Sequence, residues 1–351
     1  MNRAAVFATA LLLAACGSKT KPAEPAAKED AGRHLAADDA APTVLQPAPP
    51  LPAVPAGLPA IELPATVTPE AVALGELLFW DTRLSINNKL ACASCHDPAH
   101  GFAGGKRADT AAGKPNLRRA PALVNLAWHT EFGWDGRYQG IADQLASHAR
   151  GQLGDELAAA VGRIGELPGY RAQFARMGGA LSAEAATAAL GAYVLTRYAG
   201  DAPWDRLERS ADAPADVKAG YQLFQTKAQC SVCHTPPLYT DLRYHRIGLI
   251  ASPDEGRGRL DPARQGAFKT PSLRDAATRE GFFHDASAET LDVAIDWHLA
   301  GGTGQGADPT IIDPPVKKLT LTATERAQLG AFVRALTDLS NRSAPSKPAL
   351  P

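Results

Sequence analysis

Two five-residue stretches stand out for their chemistry: Cys92-Ala93-Ser94-Cys95-His96 and Cys230-Ser231-Val232-Cys233-His234. Two thiols three positions apart, followed at once by an imidazole, form the attachment sequence of a c-type haem. Each cysteine adds across a vinyl group of the porphyrin to make a thioether, and the adjacent histidine becomes the proximal iron ligand. A four-cysteine zinc site would use the same thiols, but it must pair them across the 138 residues between Cys92 and Cys230 and leaves both histidines without a role. A redox-active C-x-x-C disulfide is the other alternative. Two copies of the full motif consume four of the five cysteines. This favours two covalent c-type haems, held through Cys92, Cys95, Cys230 and Cys233 with His96 and His234 on the irons.

The elements that position these motifs repeat as well. Gly75-x-x-Leu78-Phe79 precedes the first motif and Gly220-x-x-Leu223-Phe224 the second, while a proline follows each histidine by two, Pro98 and Pro236. The separation is one domain length. Thr68-Pro69-Glu70 reads as an N-cap, a proline at the first helical position and an acid in the first turn. Ser182 caps another helix. Thr322 and Glu325 make a capping box ahead of Leu329, Phe332, Val333 and Leu336. No segment shows sustained period-two alternation. The expected fold is all-α: two cytochrome c-like helical domains, 65–205 and 206–342, each with one haem, then a tail, 343–351. The seam is expected between Ala202-Pro203-Trp204 and Ala213-Pro214.

The 351-residue chain is 45% hydrophobic with a formal net charge of −1, which gives no reason to expect a nucleic-acid partner. Its N-terminus has a targeting pattern: Arg3, then an apolar run from Ala4 to Leu13, then Leu13-Ala14-Ala15-Cys16. That ending resembles a bacterial lipoprotein cleavage site. It implies export across residues 1–16 and a lipid anchor on Cys16, with Gly17 favouring the outer membrane. Residues 17–64 are rich in Ala, Pro and charge, with eight prolines from Pro42 to Pro64, and read as a disordered tether.

From about residue 70 to 340 the chain resembles the bacterial di-haem cytochrome c peroxidases and the related MauG-like enzymes. The resemblance rests on runs in family order: Leu78-Phe79-Trp80-Asp81-Thr82-Arg83-Leu84-Ser85, the first haem motif, Arg118-Arg119-Ala120-Pro121 and Phe132-Gly133-Trp134-Asp135-Gly136-Arg137. The second haem motif, Phe268-Lys269-Thr270-Pro271-Ser272-Leu273-Arg274, Phe283-His284-Asp285 and Gly301-Gly302 complete it. The resemblance implies that the N-terminal haem reacts with hydrogen peroxide and the C-terminal haem stores electrons from a small cytochrome c or cupredoxin. It also implies that Trp134 assists transfer between them, that Gln144 lies in the reactive pocket, and that an acid–base carboxylate stands near Gly154-Asp155-Glu156. Glu156 is the first choice there and Asp155 the second. The MauG-like alternative is an oxidase that modifies residues of a partner protein; a non-catalytic di-haem electron carrier is a third class. A homodimer is compatible with each.

Three positions depart from the family. Many members cap the first iron at rest with a histidine in the loop after the first motif; about Thr110 to Gly113 there is none, and His100 is too close to His96 to cross a haem. The first iron is therefore expected to be open in the ferric protein, with His129 and His148 as the residues that would otherwise close it. The family binds calcium between its halves partly through an asparagine, and Arg119 stands there, which counts against calcium. The second iron usually takes a methionine, or a tyrosine in MauG-like members, as its distal ligand. The chain has only Met1 and Met177, and His298 occupies the place, fourteen residues after His284. If Ser287 caps a helix, Leu291, Ala294, Ile295 and His298 share one face, and His298 becomes the sixth ligand of the second iron, with His284 structural or a relay.

Overall fold

A computed structural model describes residues 47–207, 212–338 and 347–351. The targeting segment, Cys16 and residues 17–46 of the expected tether lie outside the described residues, as do 343–346 of the expected tail.

Thr68 accepts a hydrogen bond from the Ala71 amide at 3.1 Å and, with Pro69 behind it, starts helix α1 (Pro69–Trp80). The first half continues with α2 (Ile141–His148), a π-helical turn (Ala149–Leu153), α3 (Leu157–Ile164), α4 (Pro168–Arg176) and α5 (Ala183–Leu195). Ser182 caps α5 through the Ala185 amide at 3.2 Å. The second half contains α6 (Pro203–Leu207), α7 (Ala215–Gln225), α8 (Leu291–Leu299) and α9 (Ala323–Ala335). The capping box at the start of α9 forms in both directions, Thr322 to Glu325 at 3.2 Å and back at 2.8 Å. The expected mostly helical fold stands, apart from a two-residue antiparallel ladder, β1 (Tyr244–His245) with β2 (Phe268–Lys269).

The repeat has a packing cause. α1 packs on α5, and α7 on α9. A Cβ at Gly75 would stand 2.0 Å from the Ala189 carbonyl oxygen of α5, and one at Gly220 2.0 Å from that of Gln328 on α9. Each glycine thus permits a close helix crossing that any side chain would force apart. Leu78 and Phe79 then fill one apolar core with Tyr170, Leu190 and Tyr193, and Phe224 fills a second with Tyr239, Leu329 and Phe332. Both cores lie in a single compact unit. The seam residue Trp204 belongs to the second core, tilted against Tyr221 and edge-on to Phe332. Beside it the fully buried pair Arg274–Asp205, at 2.7 Å, ties the 270s loop to α6.

Two stretches differ from expectation. Residues 47–64, expected within the tether, lie on the folded body: Leu58 is buried, the Gly57 amide bonds to the Gly200 carbonyl at 3.1 Å, and Arg274 donates to the Gly57 carbonyl at 2.8 Å. Leucines 51, 58 and 63 interrupt the proline-rich run and supply the apolar surface for this docking. Helix α8 is capped by Thr290, through the Val293 amide at 3.2 Å, and not by Ser287. Ser287 is held instead in a turn in which its amide donates to Asp285 at 3.1 Å.

Candidate functional site: two histidine-lined cavities

Each C-x-x-C-H motif opens as a single 3₁₀ turn, Cys92–Ser94 and Cys230–Val232, and each lines its own cavity. The first, of about 440 Å³, is walled by Phe79, Leu123, Leu145, Leu190 and Val194 and reached by Arg118, Arg137 and Gln144. The second, of about 180 Å³, is walled by Phe224, Ile247, Phe283, Leu291, Ile295 and Val333.

The histidines of the motifs are oriented alike. His96 Nδ1 lies 3.1 Å from the Phe102 carbonyl and 3.0 Å from that of Pro121; His234 Nδ1 lies 3.2 Å from the Tyr239 carbonyl. These acceptors hold the proton on Nδ1 and leave the Nε2 lone pair free. Burial, and then a second histidine nearby (His148 for His96, His298 for His234), pulls both pKa values down to about 4, so both rings are neutral at pH 7. Burial also pushes the Cys92 and Cys230 thiols up to about 12. Protonated thiols in apolar walls, each beside a neutral imidazole with a free Nε2, fit an apolar macrocycle with a central iron. They do not fit a four-cysteine zinc site, because the two thiol pairs line separate cavities. Cys233, Asp241 and His245 do approach within 4.8 Å of one another. However, His245 bonds to Asp241 at 2.9 Å and Asp313 at 3.0 Å, and Asp241, then Cys233, push its pKa up to about 10. Both ring nitrogens of His245 are thus taken up by carboxylates.

Trp134 and Arg119 line both cavities. The Trp134 indole N–H donates to the Arg119 carbonyl at 2.9 Å, and the Arg119 guanidinium lies 5.3 Å from the ring centre. Arg119 itself is 2% exposed and donates to the carbonyls of Phe283 at 2.7 Å and Gly104 at 2.9 Å, joining the halves. Burial, then Arg279, draws its pKa down to about 9, which leaves it cationic at neutral pH. These carbonyl oxygens are thus engaged by a fixed positive charge. Arg118 adds a second bridge, to Asp135 at 2.9 Å and Asp254 at 2.5 Å.

The other expected residues divide. Gln144 lines the first cavity and His298 the second, with His298 Nδ1 fixed on the Ala294 carbonyl at 2.8 Å. Leu291, Ala294, Ile295 and His298 share the cavity-facing side of α8 as the spacing required. His284 also lines the second cavity, stacked on Phe268 at 3.6 Å and bonded to Ser252 at 3.2 Å. Glu156 does not reach the first cavity. It caps α3, its side chain is 64% exposed, and it faces Arg150 at 3.5 Å. Asp155 is turned to Arg163 and lines neither cavity. The π-helical turn before them ends at Gly154, with φ of +74°, and the chain turns there into α3. His129 stacks on Phe132 outside both cavities, and His100 bonds to Asp97 at 2.9 Å. The residue that sequence reasoning left in reserve is His148. It lines the first cavity one turn after Gln144, and its signal was present as a repeat: His148 and His298 are 150 residues apart, as are Phe132 and Phe282.

Comparisons with known proteins agree with this architecture. The family model described as di-haem cytochrome c peroxidase matches residues 69–213. The chain is 37% identical over 286 residues to the methylamine utilization protein MauG of Methylorubrum extorquens, covering 77% of this chain and 79% of that one. It is 33% identical over 346 residues to the cytochrome-c peroxidase IdrP1 of Denitromonas iodatirespirans, covering 86% and 88%. A crystal structure of a MauG-like protein associated with microbial copper homeostasis superposes with a TM-score of 0.75 at 27% identity, over 84% of this chain and 98% of that one. With its paired motifs, its two histidine-lined cavities and these relatives, the chain belongs to the di-haem cytochrome c peroxidase and MauG family, a group of oxidoreductases of the peroxidase type.

Proposed function

We propose that the chain is a periplasmic di-haem peroxidase: two c-type haems, attached through Cys92 and Cys95 and through Cys230 and Cys233, with His96 and His234 as proximal ligands, reduce hydrogen peroxide to water. The observation that carries this is the shared wall of Trp134 and Arg119 between two cavities that each hold a C-x-x-C-H motif. Haem would supply an iron able to cleave the O–O bond and a second iron to store an electron. The chain's own residues prepare each step. His96, protonated on Nδ1, presents Nε2 to the first iron. Gln144 offers its amide to a small polar ligand in the larger cavity. Arg118 and Arg137 reach that cavity, their charges balanced by Asp135 and Asp254. Trp134 bridges the two sites. Peroxide takes up two electrons and two protons and leaves as two waters, the electrons arriving at the second site from a small cytochrome c or cupredoxin.

In this reading the halves are two cytochrome c-like domains, the chain is held at the outer membrane by lipid on Cys16, and no calcium is required between the halves because Arg119 supplies the charge. One observation favours a second reading, in which the same site oxidises residues of a partner protein as MauG-like enzymes do. A histidine, His298, stands where methionine would favour re-reduction by an ordinary high-potential donor, since methionine ligation raises a c-type haem's potential. Steady-state turnover of peroxide with a reduced small cytochrome tests the proposal. Rapid turnover supports it. Negligible turnover with a long-lived oxidised state selects the partner-protein oxidase. Absence of any reaction with peroxide leaves an electron carrier. Haem that is extracted by acidified organic solvent would overturn covalent attachment.

A further inference from the structure

Resting on the di-haem reading, we infer that His148 closes the first iron in the resting ferric protein as its sixth ligand, held by a helix built to release it. This replaces the expectation of an open first iron.

The segment from Phe132 to His148 is the structural counterpart of Phe282 to His298. Each begins with an antiparallel bridge across six residues, Phe132 to Tyr138 and Phe282 to Ala288. Each carries an aspartate at the fourth position, Asp135 and Asp285, and each enters a helix at the same distance, α2 at Ile141 and α8 at Leu291. Each helix then presents a histidine on its last turn, with Nδ1 on the carbonyl four residues back: His148 on Gln144 at 3.0 Å, His298 on Ala294 at 2.8 Å. Both rings therefore keep Nε2 free, and both line the cavity that holds the proximal histidine of their half. The electrostatics agree: His148 is the largest charge influence on His96, and His298 on His234. Whatever places His298 over the second iron places His148 over the first.

The two helices differ in how firmly they are held. α8 buries Leu291 and Ala294, Trp297 donates to the Ile247 carbonyl at 2.8 Å, and Arg326 of α9 clamps Asp292 at 2.6 Å and Asp296 at 2.9 Å. α2 buries none of its residues fully. Beside His148 only Ser147 is tied laterally, to the Tyr138 hydroxyl at 2.8 Å, and the chain runs straight into the π-helical turn, which ends at Gly154 with φ of +74°. Ile141 and Leu145 of α2 rest against the first core only in part, and a helix end so held next to a π turn opens at low cost. His298 is thus a permanent ligand and His148 an exchangeable one, and peroxide must displace it.

The test uses the full-length, haem-loaded protein as isolated and oxidised. Low-temperature electron paramagnetic resonance is expected to show two low-spin ferric haems and no high-spin signal. In His148→Ala, with two c-type haems per chain verified as the pyridine haemochrome, one haem is expected to turn high-spin, and added imidazole to return it to low spin. A high-spin haem in the unmodified protein, or two low-spin haems persisting in His148→Ala, would overturn the inference. The peroxidase reading fails separately: a high-spin His148→Ala protein inert to peroxide would leave the cap standing and remove the function. A high-spin unmodified protein that turns over peroxide rapidly would do the reverse.

Discussion

The two halves share one plan and diverge where their tasks do. Each has a glycine-mediated helix crossing, a haem motif on a 3₁₀ turn, a short bridge and a helix carrying a second histidine. The first cavity is the larger, about 440 against 180 Å³, and has Gln144, Arg118 and Arg137 on its wall. The second has a largely apolar wall, joined by Arg119, Arg279 and His284, and a clamped α8. At one equivalent position the first half has Trp134 and the second His284. The duplicated scaffolding thus differs between the halves in cavity size, polar lining and the anchoring of one helix, not in the motifs themselves.

The largest effect expected is from removing one attachment site. Cys92→Ala with Cys95→Ala should halve covalent haem by haemochrome assay and abolish peroxide turnover, while the second haem keeps its spectrum. The same pair at Cys230 and Cys233 should leave a first haem that still binds peroxide but no longer turns over with a cytochrome donor. Next is the buried pair of the second half. Arg274→Met leaves Asp205 buried without its partner and should destabilise the fold by about 3–5 kcal/mol, read as a lowered thermal midpoint. Arg206→Met, at the exposed pair with Asp201, should leave the midpoint nearly unchanged.

His298→Met sharpens the comparison spectroscopically. It should retain both haems, add a near-infrared sulfur-to-iron band and raise the second haem's potential. Unchanged potentials in both His298→Met and His298→Ala would take His298 off the iron. Trp134→Phe keeps an aromatic side chain but loses the hydrogen bond to Arg119, worth about 1 kcal/mol, and part of the buried indole's volume. If Trp134 is the bridge, turnover should fall while peroxide binding at the first haem is unchanged. The smallest effect is expected at Glu156: Glu156→Gln should leave peroxide turnover and its pH profile as they are, and a marked loss would return Glu156 to the reactive pocket.

Chemistry carried by contiguous residues, and signals that act locally, were legible in the chain alone. The C-x-x-C-H motifs need only five neighbours to declare an attachment site. The caps at Thr68, Ser182 and Thr322 with Glu325 act within one helical turn and formed as written. The helical face of His298 came from 3.6-residue spacing. Features that depend on direction and on long-range partners needed the folded molecule. The chain turned at Gly154 after the π-helical turn and left Glu156 in solvent, while His148, ahead of that turn, faced the cavity. The Asp285 turn delayed α8 until Thr290. Leu58 found apolar surface beside Gly200 and drew the end of a proline-rich run onto the body. Arg119, in sequence only a poor calcium ligand, became a buried charge between the cavities because carbonyls of both halves converge on it. Spacing along a chain reports which atoms are neighbours on one element; only packing reports which way that element turns and what it meets.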